Sequence, residues 1–285
     1  MVGRFTGSQA LAAVGSTTAL INIFTNLFIG ISLGANVLAA RFYAAKREKE
    51  MSETVHTAIT LALISGIVMA FVGVIFSRFA LELMDTPDDV IGLSTLYMRI
   101  YFLGMPFFML YNYGAAILRA VGDTKRPLFF LVAAGVINAG LNLLLVIVFD
   151  MGVAGVAIGT IISQMISSIL VLRCLCKAEA SYRLQFSKLS IKGVYMKQIF
   201  KVGIPAGIQS TVINFSNVLL QSSVNSFGST AMAGYTAANN IFGFLYASAN
   251  SITQACMSFT SQNYGAGKWK RIDRVVVDCM ALTVV

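Results

Sequence analysis

Carboxylates are scarce in this chain, 12 Asp and Glu in 285 residues, and they keep to its polar connections. Glu48, Glu50, Glu53, Glu82, Asp85, Asp88, Asp89, Asp123, Asp150, Glu179, Asp273 and Asp278 fall in loops or at the ends of apolar runs. None lies in the middle of such a run, where an acidic group is expensive and usually serves ion coupling. Cysteine is rarer still: Cys174, Cys176, Cys256 and Cys279 form no disulfide framework and no zinc spacing. The single histidine, His56, sits where the second apolar run begins and reads as a surface residue. No G-x-x-x-x-G-K-[ST] loop is present, which excludes driving by ATP bound to this chain. No H-E-x-x-H or Ser/His/Asp set occurs either, so the chain does not read as an enzyme and calls for no metal or cofactor.

Charged residues of both signs make up 12% of the chain and hydrophobic residues 57%, far from the roughly quarter-charged balance of soluble domains. Seven stretches, near 10–35, 55–77, 91–117, 127–149, 152–173, 199–225 and 231–260, each supply the ~20 apolar residues that cross a bilayer. An eighth begins near Val275. Gly, Ala, Ser and Thr recur inside them, which suits close helix packing, and the polar alternation of a barrel is absent. The predicted class is an all-α, polytopic helical membrane protein with seven full transmembrane helices and part of an eighth.

Basic residues orient these helices. The odd-numbered loops hold 18 of the 21 Lys and Arg and are therefore expected in the cytoplasm, with the N-terminal end of the chain outside. The net charge of +9 is accounted for by loops facing anionic lipid, and a nucleic-acid partner explains nothing further. Met1-Val2-Gly3-Arg4-Phe5 has no signal-peptide pattern, so an additional helix is expected before Met1.

A faint internal repeat adds a second level of organisation. At an offset of 221, Gly7-Ser8-Gln9-Ala10-Leu11-Ala12 falls on Gly228-Ser229-Thr230-Ala231-Met232-Ala233, and Tyr43-Ala44-Ala45 on Tyr264-Gly265-Ala266. Similarity at this period marks carriers built from two related bundles around a central path. The expected division is an N-terminal lobe at 1–176, a basic cytoplasmic linker at 177–201, and the start of a C-terminal lobe at 202–285. Gly122-Asp123-Thr124-Lys125-Arg126-Pro127 reads as a tight turn in which Asp123 or Thr124 caps the next helix. Pro106 and Pro205 lie in or near spans, as hinges or as static kinks.

Two sets of uncharged polar residues stand inside the spans. Asn138 and Asn142 share one helix face, and Thr160 and Gln164 repeat that spacing on the next helix. Either their oxygens converge on a small cation such as sodium, or they hydrogen-bond between helices. On the sixth span Ser210, Asn214, Asn217 and Gln221, with Gln209 beside them, form a stripe that lines a hydrated cavity or packs on a partner helix. In the cavity reading, Phe215 and Met232 are aromatic and sulfur neighbours for an amphipathic ligand. Arg99, the one cation inside a span, reads as snorkelling to the interface.

Several motifs together resemble the multidrug and toxic compound extrusion (MATE) family. They are Gly3-Arg4, Gly7 and Ala10-Leu11-Ala12-Ala13-Val14-Gly15; Leu118-Arg119 through Gly122-Asp123-Thr124 to Pro127; Gly152-Val153-Ala154-Gly155-Val156-Ala157 with Thr160; Gly203-Ile204-Pro205-Ala206-Gly207; and Gln262-Asn263-Tyr264-Gly265-Ala266-Gly267. The resemblance covers essentially the whole chain. It implies a two-lobed antiporter of twelve helices in a bacterial inner membrane, exporting amphipathic, often cationic drugs or metabolites against sodium or protons. This chain would hold the family's helices two to eight and the start of nine, and alone it is expected not to transport. The resemblance also puts Asn138, Asn142 and Thr160 on cation-site positions, with Asn142 where some members have Asp. Arg41-Phe42-Tyr43-Ala44-Ala45 departs from a pattern in which Gln and Gly are commoner. The rival readings are a flippase of related fold for lipid-linked oligosaccharide, which would favour a strongly cationic cavity, and a membrane scaffold without transport. No protein partner is implied.

Overall fold

In hydrocarbon the backbone has to satisfy its own N–H and C=O groups, so apolar runs bounded by polar turns become helices. The computed structural model describes residues 8–84, 86–225 and 229–284, and no strand occurs among them. The helices are α1 (Ser8–Ala44), α2 (Glu48–Glu82), α3 (Asp88–Leu103), α4 (Met105–Ala120), α5 (Lys125–Leu143), α6 (Gly152–Cys176), α7 (Gly193–Asn225), α8 (Ser229–Gly265) and α9 (Trp269–Val284). The chain is thus the all-α helical membrane protein expected. Gly7, Asp85 and Gly228 lie outside the described residues, as do the side chains of Gln9, Leu11, Gln221 and Met232. Among the described residues four helices are long and apolar enough to cross a membrane, five if one bent pair counts as a single span. Helices α7 and α8, with 33 and 37 residues, are also of crossing length.

That bent pair corrects the single span expected at 91–117. Helix α3 stops at Leu103, α4 starts at Met105, and the two meet at 46°. Pro106 stands in the first turn of α4, where its missing N–H removes no hydrogen bond. Gly66 of α2 receives the elbow, since a Cβ there would lie 2.5 Å from Pro106 Cα. Pro205, in contrast, sits inside an uninterrupted α7. The end of α5 opens into a π-helical turn at Leu144–Val148, and the following reversal places Asp150 and Gly152 at positive φ.

Helix α1 is the centre of the packing. It lies most extensively along α7 and also against α8, α4, α3 and α2, whereas α7 and α8 touch each other little. Small residues explain the close α1–α7 approach. Gly30 and Gly34 of α1 face Gly203 and Gly207 of α7. A Cβ on Gly203 would lie 2.5 Å from Ile31 Cα, and one on Gly207 would lie 2.6 Å from the Leu27 carbonyl oxygen. The two helices therefore meet main chain to main chain.

The basic end is tied down by the segment between α6 and α7. Helix α7 begins at Gly193, inside the stretch read as linker, and a short 3₁₀ turn at Phe186–Lys188 precedes it. Leu184 is buried in the core. His56 is not on the surface but 3% exposed. Its Nε2 accepts the Gln185 backbone N–H at 3.1 Å and its Nδ1 donates to the Ser52 carbonyl at 2.6 Å. Thr57 Oγ1 accepts the Lys192 N–H at 3.3 Å. At the turn before α5, Asp123 Oδ1 accepts the Arg126 N–H at 3.2 Å, so Asp123 rather than Thr124 supplies the cap. Arg99 is exposed and donates to the Val74 carbonyl at 3.2 Å.

Candidate functional site

A cavity of about 660 Å³ opens between α1, α7 and α8. Each helix contributes a stripe, because positions three and four apart share a face. From α7 come Ser210, Asn214 and Asn217. The structure thus brings together three of the five stripe residues. Gln209 is exposed on another face of the helix and does not line the cavity, since one residue is about 100° of helix turn. The side chain of Gln221 lies outside those described. Asn214 Nδ2 donates to the Ser210 carbonyl at 2.8 Å, which leaves its oxygen free to accept.

Two further walls were not singled out from the sequence. Helix α1 supplies Asn22 and Asn26, and α8 supplies Phe242, Tyr246, Asn250 and Gln254 at successive four-residue steps. The same spacing that marked Asn138 and Asn142 could have found them. The walls also follow the internal repeat. Asn22, Ile29 and Leu33 line the cavity from α1, and their equivalents at the offset of 221, Gly243, Asn250 and Gln254, line it from α8.

At the basic end the cavity has a closed floor. Asn36, buried on α1, donates from Nδ2 to the Ala116 carbonyl of α4 at 2.8 Å, and its Oδ1 accepts from Ser258 of α8 at 2.8 Å. Gln262 Nε2 of α8 donates to the Ala120 carbonyl at 2.7 Å. The Arg41 guanidinium lies 5.0 Å from the centre of the Tyr264 ring, and Gly265 packs against the Arg41 main chain. Arg41 thus ties α1 to α8 through its side chain. Arg119 is also here. Counted from the sequence as a loop cation, it belongs to the last turn of α4 and lines the cavity.

A second polar group lies half-buried between α5 and α6. Asn138 Nδ2 donates to Thr160 Oγ1 at 3.4 Å and to Ser163 Oγ at 3.3 Å. Its Oδ1 accepts from Asn142 Nδ2 at 3.1 Å. Thr160 and Ser163 return their own protons to the carbonyls of Val156 and Thr160. Asn142 Oδ1 is buried without a partner and stands against Gly159, where a Cβ would lie 2.5 Å away. The three residues expected to hold a cation therefore converge, joined by Ser163, and offer one unengaged oxygen. Gln164 points elsewhere, its Oε1 being the atom beside Gly104 at the α3–α4 elbow. Among the described residues no group of three or more His, Cys, Asp or Glu could hold a metal ion.

Comparisons place this geometry among known proteins. The family model described as MatE matches residues 1–144 and 205–285. The probable multidrug resistance protein YoeA of Bacillus subtilis (strain 168) is 33% identical over 284 residues, covering 96% of this chain and 61% of the relative. The probable multidrug resistance protein YpnP of the same strain is 30% identical, covering 95% of this chain and 60% of the relative. The chain spans about three fifths of the length of these curated relatives. An outward-facing multidrug resistance MATE family transporter superposes with a TM-score of 0.89, at 21% identity, over 99% of this chain and 62% of that one. The inward-facing form of such a transporter gives 0.75, at 21% identity, over 98% and 64%.

Proposed function

The chain belongs to the MatE family; we propose that it serves secondary active export of amphipathic drugs or metabolites, driven by sodium or proton antiport. The observation that carries this reading is the cavity between the two copies of the repeat, open on one side and floored on the other. Alternating access then follows from release of the floor contacts at Asn36, Gln262 and Arg41 and closure of the opposite end. Uncharged amides on three walls suit a site that holds varied ligands through weak contacts, with Phe242 and Tyr246 as the aromatic surface.

In this reading residues 1–176 move as one lobe and 202–285 belong to the other. The basic end faces the cytoplasm of a bacterial inner membrane, and the N-terminal end of the chain faces out. Asn138, Asn142 and Thr160 form the coupling-ion position, with the unengaged Asn142 oxygen as its first ligand. Pro106 holds an elbow and Pro205 lies in the helix that pivots on α1.

The experiment uses bacteria expressing the longest form of the chain that its gene encodes, loaded with a fluorescent amphipathic dye. Efflux is expected to stop when the sodium and proton gradients are both collapsed. Efflux that persists without either gradient sinks the antiport reading.

A further inference from the structure

We propose that Arg119 makes the floor of the cavity a subsite for an anionic group, so that the preferred substrates are amphiphiles carrying a carboxylate or similar oxyanion, zwitterions included. The inference rests on reading the cavity as the substrate path. Arg119 is half-buried and lines the cavity. Among the described lining residues it is the sole charged group, and no carboxylate among the described residues pairs with it.

An arginine in the last turn of a helix commonly serves the free carbonyls there. Here those carbonyls are already taken. Ala116 accepts from Asn36 and Ala120 from Gln262. Ile117, Leu118 and Arg119 accept from the N–H groups of Val121, Asp123 and Gly122 at 3.3, 3.0 and 3.0 Å. The fork of five donors on the guanidinium is therefore not needed by the helix end, and Arg119 lines the cavity. An Arg fork matches an oxyanion in geometry as well as charge. A simple cation, in contrast, meets repulsion at the floor with no acidic group nearby to offset it. A zwitterion fits both ends of the cavity, its anionic group on Arg119 and its cationic end among Asn214, Asn217 and the α8 aromatics.

The test uses rhodamine B, which carries a free carboxylate, and its ethyl ester, which does not. Binding to the purified protein, in the longest form its gene encodes, is read by fluorescence anisotropy in a neutral detergent at pH 7.5. The acid is expected to bind about tenfold more tightly than the ester, the factor typical of one charge-assisted hydrogen bond. Arg119→Gln should bring the two dyes within about twofold of each other, and Arg119→Lys should keep most of the preference. Equal binding of the two dyes by the native protein, or a preference that survives Arg119→Gln, overturns the anion subsite and leaves the export reading standing. Failure of the native protein to bind either dye overturns both.

Discussion

The amide cluster between α5 and α6 and the cavity between α1, α7 and α8 are made of the same side chains yet behave as opposites. In the cluster, Asn138 uses both ends of its amide on protein partners, and only Asn142 Oδ1 is left over. In the cavity, Asn217, Asn250 and Gln254 line about 660 Å³ of space. Residue type therefore does not separate structural polarity from functional polarity; the fate of each donor and acceptor does. An amide whose partners are all protein holds helices together, and one whose partners are missing is available to water or a ligand.

The largest expected effect tests the closed side of this contrast. Asn138→Leu strands the Asn142 amide and removes the donor to Thr160 and Ser163, so thermal unfolding in detergent should show a loss of about 2 kcal/mol. Asn217→Ala should move stability by less than about 0.5 kcal/mol. Similar losses for the two variants would erase the distinction. Next in size, the Asn214→Ala and Asn217→Ala double variant should weaken dye binding or efflux roughly fivefold, the scale of one or two neutral hydrogen bonds, at an unchanged melting temperature. Asn142→Leu should cost less stability than Asn138→Leu, under about 1 kcal/mol, because it deletes an unpaired buried acceptor along with one hydrogen bond. Sodium added to the native protein should raise the melting temperature, and Asn142→Leu should remove that increment if the cluster holds the coupling ion. The smallest effect belongs to Gln209→Ala, which lies off the cavity and should alter neither stability nor binding.

Much of the fold was legible because hydrocarbon leaves so few choices. The apolar runs, the basic loops and the small-residue content implied helices, and the helices are there. The elbow at Gly104 was missed because a bent and a straight span have the same composition. What bends it is tertiary: Gly66 accepts the backbone around Pro106. His56 was misread for a similar reason. Its position at a helix start suggested solvent, but a distant segment, Leu184 to Lys192, folds over it.

The candidate site was legible in part. Spacing identified polar faces on α5, α6 and α7, yet it could not say which faces meet each other and which meet a void. Asn138 and Ser210 gave the same signal and ended in different surroundings. Arg119 was hidden by arithmetic of loops: counted with a basic loop, it belongs to the last turn of α4 and lines the cavity.

The bare contact between α1 and α7 has a consequence for the bilayer. Gly30 and Ala206 border the cavity while the same two helices touch through their main chains. On that flank the seal is largely the main-chain contact itself, with only the Leu27 side chain lying against Gly207. Its tightness is set by the absence of a methyl group, and each carbon added there would act as a spacer, opening a slit through which acyl chains reach the cavity.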